Sequence, residues 1–361
     1  GMIFAKADYL RRVATLAFAM LITAFVSGCG EEASEEVEAA LAEDVEVWRF
    51  AIEETVGGVQ HAYAERFKEL IEERTDGDVQ VTIYTYGTLG TSDHVTELLR
   101  MGSVHFAMAS PGHIGTVIPE VQALLLHFVF SDDPLVNKRA LQEAGELRST
   151  LNELYAAKGF QLLSIYQEGW MAWTANREIR TPDEFQGLRI RVMTTPTLLA
   201  AYRAYGAAPT PMAYGEVYSG LQLGQIDAQV NPLFAIRDMS FYEVNDYLIM
   251  GRHAPFVTTA MTNRDFMEGL SADRRELVTQ TVDELHDYIF DMQQQFNEEA
   301  LQDIRESKQS PIIVESLTEE ERQAFREASL GVRQWYIDTV GPTGEQVLNQ
   351  LLAAVEAAEQ E

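Results

Sequence analysis

Two strand patterns separated by helical patterns occupy residues 187–232, and their order constrains the fold more than any other part of the chain. In GLRIRVMTTPTLL, apolar residues alternate with Arg189 and Arg191, which is the period of a β-strand. Pro196 follows, and proline is favoured in the first turn of a helix. Residues 226–230 form a second short strand pattern. A strand, a helix-containing crossover and a second strand predict parallel strands whose carboxyl ends lie on one edge of a sheet.

Arg191 and Asn231 stand at the carboxyl ends of these two predicted strands. Ligands of open α/β sheets bind at this edge, and an arginine there can hold a carboxylate with two parallel hydrogen bonds. The alternative for Arg191 is an ordinary ion pair, because the chain contains 56 acidic residues. The strand pattern alone leaves both interpretations open.

The same segment resembles a known family. Its ordered pattern, GLRIRV followed by PTPMAYGEVYSGLQ and then GQIDAQVNP, is similar to the solute-binding receptors of tripartite ATP-independent periplasmic (TRAP) transporters of the DctP type. The similarity extends from WRFAIEE (48–54) almost to the C-terminus. It implies that Arg191 grips a ligand carboxylate, that Asn231 supports it, and that membrane permease subunits receive the ligand. One departure is local: the family usually has Asp-Gly-x-Glu-Asn-Pro where this chain has DAQVNP (227–232).

The resemblance also implies the architecture, an α/β, two-lobed periplasmic-binding-protein-like fold. Each lobe is expected to be a largely parallel sheet flanked by helices, with one long helix (272–307) spanning both lobes. Strands at 160–166 and 170–174 bracket Gly169 and predict the first crossing between lobes, and 254–262 predicts the return. The expected lobe boundaries are 47–168 plus about 256–295 for lobe one, and 169–255 plus about 296–361 for lobe two.

Glu54 is a further site candidate that comes from the resemblance. The run WRFAIEE resembles the first strand of the ectoine-binding receptors of the family, in which the last Glu holds the cationic ring of the ligand. The alternative for Glu54 is a structural acid at a helix N-terminus, where the helix dipole favours negative charge.

Aromatic and imidazole side chains complete the predicted site. His113 in SPGHIG matches an aromatic wall residue of the ectoine receptors, with a structural histidine as the alternative. Tyr214 and Phe234 are predicted aromatic walls, and Trp170 is predicted to line either the cleft or the core. Met171 replaces the second arginine of sialic-acid receptors, which disfavours that ligand. Aromatics beside a glutamate suit a delocalised positive charge.

The N-terminus predicts export and lipid attachment. Residues 1–28 have the charged start and short apolar run of a signal peptide, with Gly1 as a leading expression scar. The sequence VSGC places Cys29, the only cysteine, at a lipobox. Residues 29–46 then read as a lipidated cysteine and an acidic tether. The expected location is the periplasm, with a lipid anchor in a bacterial membrane.

The remaining sequence features argue against catalysis and nucleic-acid binding. The net charge of −29 disfavours nucleic acid and anionic membrane surfaces as partners. The seven histidines lie outside any zinc motif, and no Gly-x-Ser-x-Gly or phosphate-loop motif occurs, so we expect no enzyme, cofactor or metal.

The prediction is a receptor that captures a small carboxylate-bearing solute, most simply a zwitterion such as ectoine, for a TRAP permease. The alternatives are a receptor for an organic or sugar acid, with Glu54 purely structural, and a sensor protein that presents its ligand to a kinase. Two permease genes beside its own would favour transport.

Overall fold

The computed structural model describes residues 44–142 and 145–361. The predicted signal peptide, Cys29 and nearly all of the acidic tether lie outside these residues. Within the described ranges, no helix is both long enough and apolar enough to cross a membrane.

Strands and helices alternate along most of the chain. The strands are β1 (Glu46–Ala51), β2 (Val79–Tyr84), β3 (Phe106–Ala109), β4 (Phe160–Ala175), β5 (Arg189–Val192), β6 (Ala208–Pro211), β7 (Ala228–Pro232), β8 (Tyr247–Met250), β9 (Pro255–Asn263) and β10 (Ile313–Ser316). The α-helices are α1 (Val59–Arg74), α2 (Ser92–Arg100), α3 (Pro111–Ile114), α4 (Pro134–Gln142), α5 (Glu146–Ala156), α6 (Pro196–Arg203), α7 (Val217–Gln222), α8 (Leu233–Asp238), α9 (Arg264–Gly269), α10 (Ala272–Glu306), α11 (Glu319–Val340) and α12 (Pro342–Glu359). Short 3₁₀ helices lie at Pro119–Leu125, Pro182–Phe185, Tyr214–Glu216 and Phe241–Glu243.

The strands follow one path, β2-β1-β3-β9-β4-β7-β5-β6, with β8 and β10 added beside β4. In lobe one, β1 pairs in parallel with β2 and β3. In lobe two, β5 pairs in parallel with β6 and β7, and β8 with β10. The antiparallel pairings all involve β4 or β9, the strands that link the lobes. The predicted two-lobed α/β fold is confirmed, and its parallel pairings lie on either side of this antiparallel centre.

Helix α1 shows how apolar spacing builds the core of lobe one. Val59, Tyr63 and Phe67 recur every four residues, so they share one helix face, and all are buried. That face packs on β1, where the ring centroids of Phe50 and Phe67 are 5.4 Å apart.

The first crossing is one continuous strand where the sequence predicted two. β4 pairs with β9 in lobe one and with β7 and β8 in lobe two. Its register with β9 shifts between Gln167 and Trp170, and Gly169 lies there with φ of 116°. A Cβ atom at Gly169 would clash with the Asn297 side chain of α10. The glycine therefore bends the strand against the long helix without ending it.

Helix α10 spans both lobes, as predicted. Its first half, with Val282 and Leu285, belongs to the same buried cluster as Phe67 of lobe one. Near its end, Ile304 joins a buried cluster with Phe241 of lobe two.

The last helix, α12, packs on α4 and α5, which the predicted boundaries placed in lobe one. Leu348 and Leu351 share a buried cluster with Leu141 and Leu151. The lobe boundaries remain a prediction. Helix α12, which they assign to lobe two, contacts two helices that they assign to lobe one.

Candidate ligand-binding site

The two arginines of β5 have different surroundings. Arg189 is exposed and forms an ion pair with Asp227, with 2.9 Å between Nη2 and Oδ1. Arg191 is only 2% exposed, and no acidic side chain of the described chain forms an ion pair with it. The ion-pair alternative thus applies to Arg189, which lies two residues earlier.

The Arg191 guanidinium has one protein partner and one free donor. Its Nε donates to the Met212 carbonyl oxygen at 2.9 Å, and its Cζ lies 5.9 Å from the Tyr214 ring centroid. Its Nη2 is buried and has no hydrogen-bond partner among residues 44–142 and 145–361. Burial lowers the pKa of Arg191 to about 10, so the group remains charged at neutral pH. A buried cation with an unused donor is the chemistry that an anionic ligand requires.

Asn231 lies in β7, the strand parallel to β5. Arg191 is in register with Gln229, so Asn231 stands two residues further along the neighbouring strand. The Asn231 amide donates to Gln229 Oε1 at 2.8 Å, and Gln229 donates to Thr174 Oγ1 at 2.9 Å. This buried chain fixes the position of the Asn231 amide.

Glu54 fits both of its interpretations at once. Its Oε1 accepts from the Gln60 backbone N–H in the first turn of α1 at 2.8 Å, as a structural acid would. Its Oε2 is buried and has no donor within the described residues. Burial raises the pKa of Glu54 to about 7. One oxygen therefore holds the helix, and the other is open to another partner.

Two further buried carboxyl groups surround Gln60. Glu53 accepts from the Ser110 backbone N–H at 2.8 Å and from Gln60 Nε2 at 3.1 Å, and burial raises its pKa to about 7. Glu168 of β4 is fully buried and accepts from Gln60 Nε2 at 3.3 Å. The sequence interpretation missed Glu168, although an acid inside the apolar strand run LLSIYQEGWMAW was a visible signal.

His113 of α3 connects the two lobes. Its Nδ1 lies 3.2 Å from Thr194 Oγ1, just after β5. Burial, assisted by the charge of Arg191, lowers the pKa of His113 to about 3. His113 is therefore a neutral side chain beside Arg191 and contributes no cation.

Tyr214 stands between the charged groups. Its ring makes an edge contact with Tyr86 of lobe one, and the Gly215 N–H donates to the Tyr86 hydroxyl at 3.0 Å. Burial raises the pKa of Tyr214 well above 10; Glu54 raises it further and Arg191 opposes this. Both charges thus act on one aromatic ring at the contact between lobes.

The other two predicted aromatics have different surroundings. Phe234 is 1% exposed and belongs to the buried cluster of lobe one that includes Tyr166. Trp170 lines a cavity of about 440 Å³ together with Met250, Asn297 and Leu317. Arg191, Glu54 and His113 are absent from the lining of that cavity. We therefore place the candidate site at the unpaired side chains of Arg191 and Glu54. The cavity of about 440 Å³ lies beside β4.

Metal chemistry finds no support in the described part of the chain. Among those residues, no group of three histidine, cysteine, aspartate or glutamate side chains could hold an ion. The candidate site instead consists of opposite charges and aromatic rings.

Residues 50–337 match the family model DctP, described as bacterial extracellular solute-binding protein, family 7. The chain belongs to this family. It is a TRAP solute-binding receptor, as the resemblance in the sequence predicted.

Several relatives cover most of this receptor. The ectoine-binding periplasmic protein TeaA of Halomonas elongata is 37% identical over 314 residues, 87% of this chain and 91% of TeaA. The ectoine/5-hydroxyectoine-binding periplasmic protein UehA of Ruegeria pomeroyi is 36% identical over 333 residues, 92% of this chain and 97% of UehA.

Solved structures confirm the fold of the receptor. A TRAP periplasmic solute-binding protein from Marinobacter aquaeolei in an apo open state shares 41% identity with a TM-score of 0.79, covering 85% of this chain and 99% of that one. The structure of TeaA has a TM-score of 0.83 at 36% identity, covering 86% of this chain and all of that one.

Proposed function

We propose that this receptor binds a small zwitterion that carries a carboxylate and a delocalised cation, such as ectoine or a related compatible solute, for delivery to a TRAP permease. The observation that carries the proposal is the pair of unsatisfied charges: the free Nη2 of Arg191 and the free Oε2 of Glu54. A zwitterion would satisfy both in one binding event.

The energetic argument starts from the cost of burial. A charge removed from water destabilises a protein by several kcal/mol unless it is paired, so an unpaired buried arginine needs a reason to persist. A ligand carboxylate supplies that reason, because it can accept two parallel hydrogen bonds from a guanidinium. Asn231, fixed by Gln229, is the proposed second donor to the same carboxylate.

The cationic end of the ligand is assigned to Glu54. Tyr214 and His113 are proposed to flank the ligand, because aromatic faces favour a delocalised positive charge. Relatives whose names state ectoine binding cover most of this chain and support ectoine as the ligand class. Phe234 and Trp170 are proposed as more remote supports.

One observation favours a second candidate, a plain organic or sugar acid. Burial raises the pKa of Glu54 to about 7, so a large fraction of the group is neutral near neutral pH and repels an anionic ligand less. In that case Glu54 would act only on the N-terminus of α1.

Calorimetry separates the two candidates. Wild type and Glu54→Gln are titrated with ectoine and with a panel of C4-dicarboxylates and sugar acids. For a zwitterion, Glu54→Gln should weaken binding by about 30-fold or more, since 2 kcal/mol corresponds to about that factor. For an organic acid, the same variant should bind equally well or more tightly.

Glu65→Gln is the matched control for this experiment. Glu65 lies on the outer face of α1, is about half exposed and pairs with His61. Like Glu54→Gln, the Glu65→Gln change removes one negative charge, but it lies outside the site. The ligand affinities of this variant should therefore equal those of wild type. Absence of binding to every member of the panel would contradict the proposal.

We also propose that the mature receptor carries lipid on Cys29 and works in the periplasm. The support is the VSGC sequence behind a charged and apolar leader. Each buried CH₂ of an acyl chain contributes about 0.8 kcal/mol to membrane binding, so several chains give a firm anchor. Cys29→Ser should release the protein from the membrane fraction or stop its processing, as fractionation and intact mass would reveal; normal processing and retention would argue against lipid attachment.

A further inference from the structure

Glu168 is a buried acid that the assignment above leaves unused. It lies in β4 directly before the bend at Gly169, and none of its surface is exposed. Its Oε2 accepts from Gln60 Nε2 at 3.3 Å, while its Oε1 has no donor among the described residues. Gln60 also donates its backbone N–H to Glu54. Gln60 thus binds Glu54 through its backbone N–H and Glu168 through its side-chain amide.

Both carboxyl groups are buried and bind the same residue, Gln60. Each has one buried oxygen without a donor among the described residues, Oε2 on Glu54 and Oε1 on Glu168. Within the described chain, no lysine, arginine or histidine forms an ion pair with either group. Two buried carboxylates beside one glutamine and without a cation cannot both ionise readily, so one of the pair holds a proton.

The surroundings decide which of the two holds the proton. Burial, and then the charge of Glu54, raise the pKa of Glu168 well above its usual value. Burial raises the pKa of Glu54 to about 7, and the hydrogen bond from the Gln60 N–H opposes the increase. When the pair holds one proton, that proton therefore resides on Glu168, and the charge lies on Glu54.

We propose that Glu168 is a positioning residue of the ligand site, which remains a neutral acid and donates a hydrogen bond that fixes the carboxylate of Glu54 toward the ligand. The proposal rests on the proposed function, since it assigns Glu54 to the cationic end of the solute. With Glu168 neutral and Glu54 ionised, the buried pair carries one negative charge. This charge matches the single positive charge at the cationic end of the ligand.

Other titratable groups surround the pair on every side. They are Glu53 beside Glu54, Tyr63 on α1, Tyr166 on β4, Tyr214 and Arg191 in lobe two, and Asp238 at the end of α8. Two of these are acids whose charge opposes ionisation of Glu54, and the tyrosines are neutral at pH 8. None of them replaces the hydrogen bond from Glu168.

The proposal predicts unequal roles for the two glutamates. Glu168→Gln keeps a donor in the same place, because the carboxamide N–H can donate to Glu54, so the affinity for ectoine should stay within about threefold of wild type. Glu168→Met has a similar size but no donor, and its affinity should fall by roughly 10- to 100-fold, as expected for a lost hydrogen bond to a charged group. Glu54→Gln should lose affinity, because there the charge itself is required.

Infrared spectroscopy of the full chain without ligand provides a second readout. At pH 8, above the pKa of about 7 of Glu53 and Glu54, a protonated carboxyl band should be present in wild type and in Glu65→Gln. It should be absent in Glu168→Gln, with thermal unfolding used to verify that each variant is folded.

Three outcomes would overturn the inference: wild type without the protonated band at pH 8, Glu168→Met with wild-type affinity, or Glu168→Gln as weak as Glu168→Met. These differ from failure of the proposed function, which would appear as wild-type affinity in Arg191→Met or as absence of ectoine binding. The infrared result is independent of ectoine, so it decides the state of Glu168 in either case.

Discussion

Arg191→Met should separate ligand affinity from the stability of the receptor. In the ligand-free protein the buried guanidinium has one hydrogen bond, from Nε to the Met212 carbonyl, and its Nη2 has no partner among residues 44–142 and 145–361. Replacing an unpaired buried charge with an apolar side chain of similar length is often neutral or stabilising. The unfolding temperature of the free variant should therefore equal or exceed that of wild type.

Ligand binding should change in the opposite direction. A charged hydrogen bond in a closed cleft contributes roughly 1.5–3 kcal/mol, and loss of one partner also leaves the ligand carboxylate buried and unpaired. The total loss should be roughly 2–5 kcal/mol. This corresponds to a weakening of about 30-fold to several thousand-fold. Arg191→Lys should fail almost as badly, because an ammonium group lacks the planar fork that matches a carboxylate.

Isothermal calorimetry with ectoine measures these affinities, and Arg189→Met is the matched control. Arg189 lies two residues earlier on the same strand, but it is 47% exposed and paired with Asp227. Its removal should leave affinity unchanged within about twofold, because surface ion pairs contribute at most about 1 kcal/mol and this one lies outside the site. Wild-type affinity in Arg191→Met, or equal losses in both variants, would refute the reasoning.

The remaining predictions concern motion, acid and the bend in β4. Ligand contacts drawn from Glu54 of lobe one and Arg191 of lobe two should favour closure, so small-angle scattering should give a smaller radius of gyration at saturating ligand; an unchanged radius would contradict a hinge. Burial lowers the pKa of His127 to about 3, so folding favours its neutral form and stability is lost as pH falls below 6.5. His127→Phe should reduce the loss between pH 6.5 and 5 by about 2 kcal/mol in chemical unfolding, and identical pH slopes would argue against this. Gly169→Ala should destabilise the chain by roughly 1–3 kcal/mol through its positive φ and the clash with Asn297, with an unchanged unfolding temperature as the opposing result.

Local periodicity explains which parts of the fold were predictable. The alternation in 188–192 fixes a strand, and the four-residue spacing of Val59, Tyr63 and Phe67 fixes a buried helix face, because each pattern depends only on neighbouring residues. The long helix after Ser271 and the βαβ order around Arg191 were predictable for the same reason. Family resemblance, carried by an ordered run of residues, added the two lobes.

Only the tertiary structure determines which charged side chains form ion pairs and which groups are buried together. The sequence does not show which of Arg189 and Arg191 has an acidic partner. The fold places Asp227 beside Arg189 and leaves Arg191 without an ion pair among the described residues. The sequence likewise separates Glu54 from Glu168 by more than a hundred residues. They come together at Gln60 at the start of α1, which binds both carboxyl groups once β4 has crossed between the lobes. Burial, pairing and pKa depend on groups distant along the chain, so they appear only once the chain has folded.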